Sequence, residues 1–208
     1  MIKTRKFFTI ILLIALLFTF ASCGSKPAPS PEEAEPTPSI ALDSMLKAIQ
    51  DLDFETAQQY YLGDMGSVEN LSEGSGATDE VVNRMLKEAL HFDYTLTNEV
   101  INGDEATVDL VFKTYNMGEI LEQVLTDLIA RAGVLQQGGM TADEFQEDMN
   151  NIVIGIYDDI IKKAEKNLEI SLTVGLTKVD GQWKVNDLKD SLDFMDGLTG
   201  GLISYGRS

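Results

Sequence analysis

Two residue types that could do chemistry occur once each in this chain of 208 residues: Cys23 is its only cysteine and His91 its only histidine. A lone cysteine cannot form an intramolecular disulfide. His91 stands beside no cysteine and in no H-x-x-x-H or H-E pattern, so it belongs to no recognisable zinc motif. No G-x-S-x-G, glycine-rich phosphate loop or twelve-residue calcium loop is present. The acids Asp143, Glu144, Glu147 and Asp148 pair at a spacing of four, where like charges on a helix cost about 0.2–0.5 kcal/mol each. A calcium ion or a basic partner would relieve that cost, but the four open a predicted helix, whose dipole favours negative charge there. No catalytic residue, metal site or cofactor is expected, and the chain reads as a non-enzyme.

The flanks of Cys23 explain it better than any reactivity. Residues 1–22 hold Lys3, Arg5 and Lys6, then an unbroken apolar run from Phe7 to Phe20, then Ala21 and Ser22, the layout of an export signal. The run is too short for a membrane-spanning helix, which needs roughly 20 residues at about 1.5 Å each. After Cys23, all five prolines (Pro27, Pro29, Pro31, Pro36 and Pro38) lie among Ala, Ser, Thr and Glu. Such a composition packs no core and favours extended backbone of about 3.1 Å per residue, so residues 23–38 read as a tether.

Charge narrows the partners. The formal net charge is −18, and loss of residues 1–22 leaves 13 basic against 34 acidic residues, or −21. Nucleic acid is therefore excluded, since phosphate binding needs clustered Lys and Arg, and lying flat on an anionic membrane is disfavoured. The charge serves solubility; a cationic partner is the sharper alternative. The residues from Ser39 onward suffice for one sizeable core.

Hydrophobic periodicity supplies the elements. Thr37-Pro38-Ser39 starts a helix with Ile40, Leu42, Met45, Leu46 and Ile49 at helical spacing, and Asp53 caps a second through Tyr61. Residues 62–77, rich in glycine, read as a loop, and a helix follows over 79–90. The period then becomes two: Phe92, Tyr94, Leu96 and Val100 alternate with Asp93, Thr95, Thr97 and Glu99, and Asn102-Gly103 signals a type I′ turn into a strand over 106–115. On this pattern Asp93 and Asp109 fall on a solvated sheet face, while Asn98, Thr114 and Tyr94 interrupt the apolar one. Residues 119–136 and 142–166 return to helical spacing, joined at Gly138-Gly139, with Thr141 and Glu144 as a capping box; Asp158 with Lys162 and Asp159 with Lys163 are spaced to pair. A strand over 168–177 turns at Asp180-Gly181 into a last strand over 182–186, and the tail 191–208 is expected to end mobile.

This order predicts an α+β domain: a four-stranded antiparallel curved sheet packed against N-terminal helices, with a helical hairpin (119–166) inserted between two β-hairpins. Residues 39–190 would form the domain. Tyr60, Tyr94, Tyr115 and Trp183 are the aromatics that a pocket between sheet and helices would use, with loop 62–77 as its lid.

Two resemblances add to this reading. Phe20-Ala21-Ser22-Cys23 resembles the lipobox of bacterial lipoproteins, with Phe20 where Leu is commoner. The resemblance implies cleavage before Cys23, more than one acyl chain, such as palmitate, on that cysteine, and an extracytoplasmic protein lipid-anchored to the cell membrane of the envelope. The element order and the strand-Asp180-Gly181-Gln182-Trp183-Lys184-Val185 ending resemble small bacterial lipoproteins of unknown function with a cystatin-like or nuclear-transport-factor-2-like fold. What that implies is a binding or adaptor domain for an envelope protein or a small ligand. Two alternatives stay open: a small isomerase- or hydrolase-like enzyme on the same fold, which would need a buried carboxylate, and a solute-binding lipoprotein.

Overall fold

The proline run gives way to helix at the position its last member predicts. The computed structural model describes residues 36–69, 79–135 and 142–207, within one unit, Pro36–Ser208. Helix α1 (Pro38–Gln50) begins with proline at its first position and with the Thr37 side chain accepting the Ile40 N–H. Ala41, Leu42, Met45, Leu46 and Ile49 form its buried stripe, the i, i+3, i+4 pattern of a helix with one face on a core. Helix α2 (Phe54–Gln59) is capped by Asp53, whose Oδ1 accepts the Thr56 N–H at 3.0 Å.

Helix α2 stops short of Tyr61, contrary to the expected stretch. Tyr61 instead forms a parallel bridge to Val185, with the Val185 N–H donating to Tyr60 O and the Leu62 N–H to Val185 O, both at 2.8 Å. Backbone groups at a sheet edge need partners, and residues 60–62 supply them. In the expected loop 62–77, Gly66–Glu69 is a helical turn, α3. The rest of that loop, from residue 70 on, and with it most of the expected lid, lies outside the described residues. Helix α4 (Asp79–Ala89) follows.

The sheet has the order β1-β2-β3-β4, every pair antiparallel: β1 (Asp93–Asn102), β2 (Glu105–Thr114), β3 (Leu168–Val179) and β4 (Gln182–Val185). The Asp180-Gly181 turn has φ of 52° and 82°, the two positive values of type I′. At the first turn Asn102 pairs with Glu105, so Gly103 and Asp104 are the central residues, and Gly103 alone has positive φ. That geometry is not type I′, because the glycine takes the first central position, one earlier in the turn than an Asn-Gly pair requires.

Strand β1 also departs from simple alternation. Thr97 pairs with Asp109 but Val100 with Thr107, so Asn98 and Glu99 together oppose Val108, and Asn98 takes φ 51°. This β-bulge shifts the phase by one residue. Asn98, expected on the apolar face, donates to Asp109 at 2.9 Å on the outer face, and Val100, expected in the core, is 59% exposed.

Two hydrophobic clusters result. The first packs α1, α2 and the C-terminal helix α7 (Leu192–Thr199) on the inner sheet face, around Phe112, whose ring meets Phe92 edge-on at 5.0 Å and Phe194 at 6.0 Å. Phe194 and Leu198, at the start of the expected tail, are thus part of the core, and the compact unit runs past residue 190. Ser191 caps α7 through the Phe194 N–H. Gly197 abuts the Phe112 ring so closely that no Cβ fits, and Gly200 (φ 64°) and Gly201 (φ 80°) turn the chain into a last helical turn, α8 (Leu202–Tyr205).

The second cluster joins α4 to the inserted hairpin, α5 (Met117–Leu135) and α6 (Ala142–Ile161), through Met85, Ala89, Ile120, Val124, Ile156 and Tyr157. Helix α6 ends at Ile161, not 166: the N–H groups of Lys163 and Ala164 turn back to the third residue before them, tightening the last turn so that the chain can straighten into β3 beside Thr114. Asp158 meets Arg84 of α4 at 3.5 Å, and Lys162, its expected partner, lies beyond the helix. Gly138, Gly139 and Thr141 lie outside the described residues, as do the side chains of Asp143, Glu144, Glu147 and Asp148.

Tyr157 gives this cluster a measurable weakness. Its hydroxyl is buried with no hydrogen-bond partner among the described residues, and burial, followed by the nearby Glu88 carboxylate, pushes its phenol far above the usual value. An unsatisfied buried hydroxyl costs about 1–3 kcal/mol. Tyr157→Phe is therefore expected to raise stability by about 1 kcal/mol in a denaturant titration; a loss of similar size would mean the hydroxyl is hydrogen-bonded in solution.

Candidate functional site

The aromatics singled out by sequence occupy two places, not one. Tyr94 of β1 packs on the first cluster and donates its hydroxyl to Asp43 of α1 at 2.7 Å. Burial, then the bond to Asp43, pushes this phenol well above its ordinary range. Burial opposes ionisation of Asp43 too, but the bonds from Lys47 (2.8 Å) and Tyr94 together hold its carboxyl below the usual value. Tyr60, at the end of α2, packs on the same cluster, and Trp183 is buried in β4 with the Lys178 ammonium 5.8 Å from its ring centroid. Tyr115 belongs to the second cluster, with Lys166 5.9 Å from its ring. The first three therefore help hold helices to the sheet, and the fourth lies apart from them.

Tyr61, which the sequence reading places in a helix, is more tightly held than any of these four. Its hydroxyl accepts the Leu188 N–H at 2.7 Å and donates to Asp187 at 3.0 Å. Burial pushes its phenol up to about 12. The Lys189 N–H, and after it the Tyr61 hydroxyl against a small opposing burial, lower the Asp187 carboxyl. This clasp fixes the chain after β4 against the segment after α2.

Carboxylates are similarly committed. Asp109 accepts from Asn98 and from Thr173 (2.7 Å) on the outer sheet face, which lowers its pKa, and Asp93 pairs with Lys166 at 2.8 Å. His91 is exposed, 3.7 Å from Glu88. Among the described residues the buried polar side chains are Thr114, Asp196 and Thr199. Thr114 donates to Ala89 O and Thr199 to Met195 O, while Asp196 accepts from both the N–H and the hydroxyl of Ser204. The buried carboxylate thus ties α7 to α8. Among the described residues no group of three or more His, Cys, Asp or Glu could hold a metal ion.

Among several open clefts of the described residues, which include a larger one of about 480 Å³ beside Asp53 and Met65, one of about 390 Å³ between α5 and the end of α6 is lined by the most charged side chains. Glu119, Asp127 and Arg131 line it from one side and Asp159, Lys163 and Glu165 from the other, over a floor that includes Ile120 and Ile160. Among the described residues none of these six ionic side chains has an ion-pair partner. Asn116 positions the near end, its Oδ1 accepting the Glu119 N–H at 3.3 Å as α5 begins. Charges of both signs over a partly apolar floor suit a polar solute or peptide carrying charge of its own. In sequence the same residues look like the solvated stripe of an amphipathic helix; Glu119, Gln123, Asp127 and Arg131 recur at four-residue spacing, and nothing in that spacing reveals a facing wall.

Among the described residues no helix is long and apolar enough to cross a membrane. No family model and no curated protein matches the chain. One solved structure is similar, that of YcdA from Bacillus subtilis, a candidate lipoprotein, at 17% identity and a TM-score of 0.41. The match covers 74% of this chain and 46% of that one, so this chain spans less than half of the length of its structural neighbour.

Proposed function

We propose that this chain is a lipid-anchored, extracytoplasmic lipoprotein whose domain binds a partner and does not catalyse a reaction. The anchor reading rests on Cys23, the only thiol, placed directly after a basic start, a short apolar run and two small residues. The cystatin-like reading of the domain draws support from a long helix lying across one face of an antiparallel sheet, and belongs to the same proposal.

The observation that carries the binding role is how the polar groups are used. Catalysis by a carboxylate or phenol needs a group whose shifted pKa faces a space that substrate can enter. Here Asp43, Asp187 and Asp196 are bonded across elements of the fold, whereas six charged side chains, none of them in an ion pair among the described residues, line the α5–α6 cleft. An envelope protein or a small charged ligand held in that cleft is the expected function.

The test uses the full lipidated chain as bait on gently solubilised envelope, beside a thermal-shift screen of small charged solutes. The expected result is a retained protein or a stabilising ligand that the double variant Arg131→Glu, Lys163→Glu loses. Retention unchanged in that variant would contradict the cleft, and turnover of any screened solute would contradict the non-catalytic reading.

A further inference from the structure

The α5–α6 cleft is long for a small solute. On the α5 side it is lined by Glu119, Gln123, Asp127 and Arg131, residues four apart that stack into one inclined row on a helix. From first to last this row advances about 18 Å, at about 1.5 Å per residue. An adjoining hollow shares Glu119, Gln123, Asp127 and Ile160 with the cleft and adds Glu122 and Thr126, so the two form one groove along α5. A polypeptide in extended conformation covers that length with about five or six residues, at about 3.3 Å each. A single amino acid would fill only a fraction of it.

The charge of the groove is lopsided. Glu119, Glu122, Asp127, Asp159 and Glu165 supply five carboxylates against the two bases Arg131 and Lys163, and none of the seven is in an ion pair among the described residues. Among the described residues no three acids come together as a metal site requires. The carboxylates are instead distributed along the groove, where a chain with several cations meets them one after another. Each such rim pair is weak alone, but together they set the sign of the partner and speed its encounter. The floor adds a second demand, because Ile120 is buried there and Ile160 half-buried. Alternate side chains of an extended strand point to opposite sides, so one set can lie on this floor while the other reaches the charged walls. Arg131, last in the α5 row, is the place for a carboxylate.

We propose that the α5–α6 groove holds an extended, net-basic peptide segment of a partner protein, with Lys or Arg side chains on its carboxylates, apolar side chains over Ile120 and Ile160, and a carboxylate at Arg131. The proposal rests on the binding role of this cleft and adds the form and the charge of what it takes.

The probe is a peptide of three alternating lysine–valine pairs with a free C-terminal carboxylate and an uncharged dye at its N-terminus, read by fluorescence anisotropy against the full lipidated chain in a nonionic detergent. Glu119→Gln with Asp127→Asn neutralises two charges in the groove. Glu105→Gln with Asp180→Asn removes the same charge at exposed positions beside the β-turns, at the end of the sheet away from Thr114 and α5. Saturable binding is expected, weakened about tenfold by the first pair and less than about twofold by the second. Tighter binding of a glutamate–valine counterpart, or equally tight binding of 1,4-diaminobutane, would overturn the basic peptide and leave the cleft standing. Absence of binding by the lysine–valine peptide would overturn it too, and the bait and solute screen of the cleft then decides whether the cleft itself stands. Equal weakening by both pairs would overturn the cleft along with its occupant, since the field of the whole chain would then account for the binding.

Discussion

Truncating Phe112 to alanine is expected to cost about 3–5 kcal/mol of folding free energy, the range for removing a large aromatic from a core that cannot collapse around the gap. Phe112 is fully buried near the C-terminal end of β2, with its ring packed on those of Phe92 and Phe194. The ring also fills the space left by the missing side chain of Gly197 on α7. It therefore joins the sheet to Phe194 and Gly197 of a helix far along the chain, and its loss should free α7 as well as open a cavity. For a domain of this size the midpoint of thermal unfolding should fall by roughly 6–20 °C. Calorimetry provides the check, and a fall of only a degree or two would show that α7 does not pack on Phe112 in solution.

The second large effect concerns location. Cys23→Ser removes the sulfur that lipid would occupy while leaving the apolar run intact. If acyl chains hold the protein, the variant should leave the membrane fraction or accumulate with residues 1–22 uncleaved, because one acyl chain binds only marginally whereas two anchor effectively for good. Fractionation of cells with an antibody to the domain measures this. Equal membrane retention of mature wild-type and variant protein would mean that something other than lipid on residue 23 holds it there.

Much of the fold is legible in the sequence because the local signals agree. Thr37-Pro38 and Asp53 cap helices as their chemistry dictates, and Asp180-Gly181 adopts the turn its residues favour. The sheet order also follows from two hairpins with a helical pair between them. What escapes is decided by contacts distant in sequence. The glycine-rich end of the tail looks irregular in sequence, yet Gly197 is small so that a helix can approach Phe112, and Gly200 and Gly201 have the positive φ that the turn after it needs. The bulge at Asn98-Glu99 leaves the sequence pattern almost unchanged, since Asn98 already breaks the apolar phase; its partner Asp109 becomes visible only when the strands pair.

The candidate site was harder to see for the same reason. Aromatic residues invite a pocket, but Tyr94 and Trp183 are used in joining layers, and the candidate cleft lies between two helices whose charged faces look solvated one at a time. Clefts of this kind are made by the angle at which two helices diverge, and the sequence of neither records it. Around Cys23 the reverse holds, because a signal of that type is read along the chain and depends on no distant contact.

The most direct test of the account is the mass of the mature N-terminal peptide from protein purified out of its own membrane. The prediction is a chain that begins at Cys23 and carries the added mass of acyl chains. A mature chain that begins at another residue, or that begins at Cys23 with an unmodified thiol and amine, would contradict it.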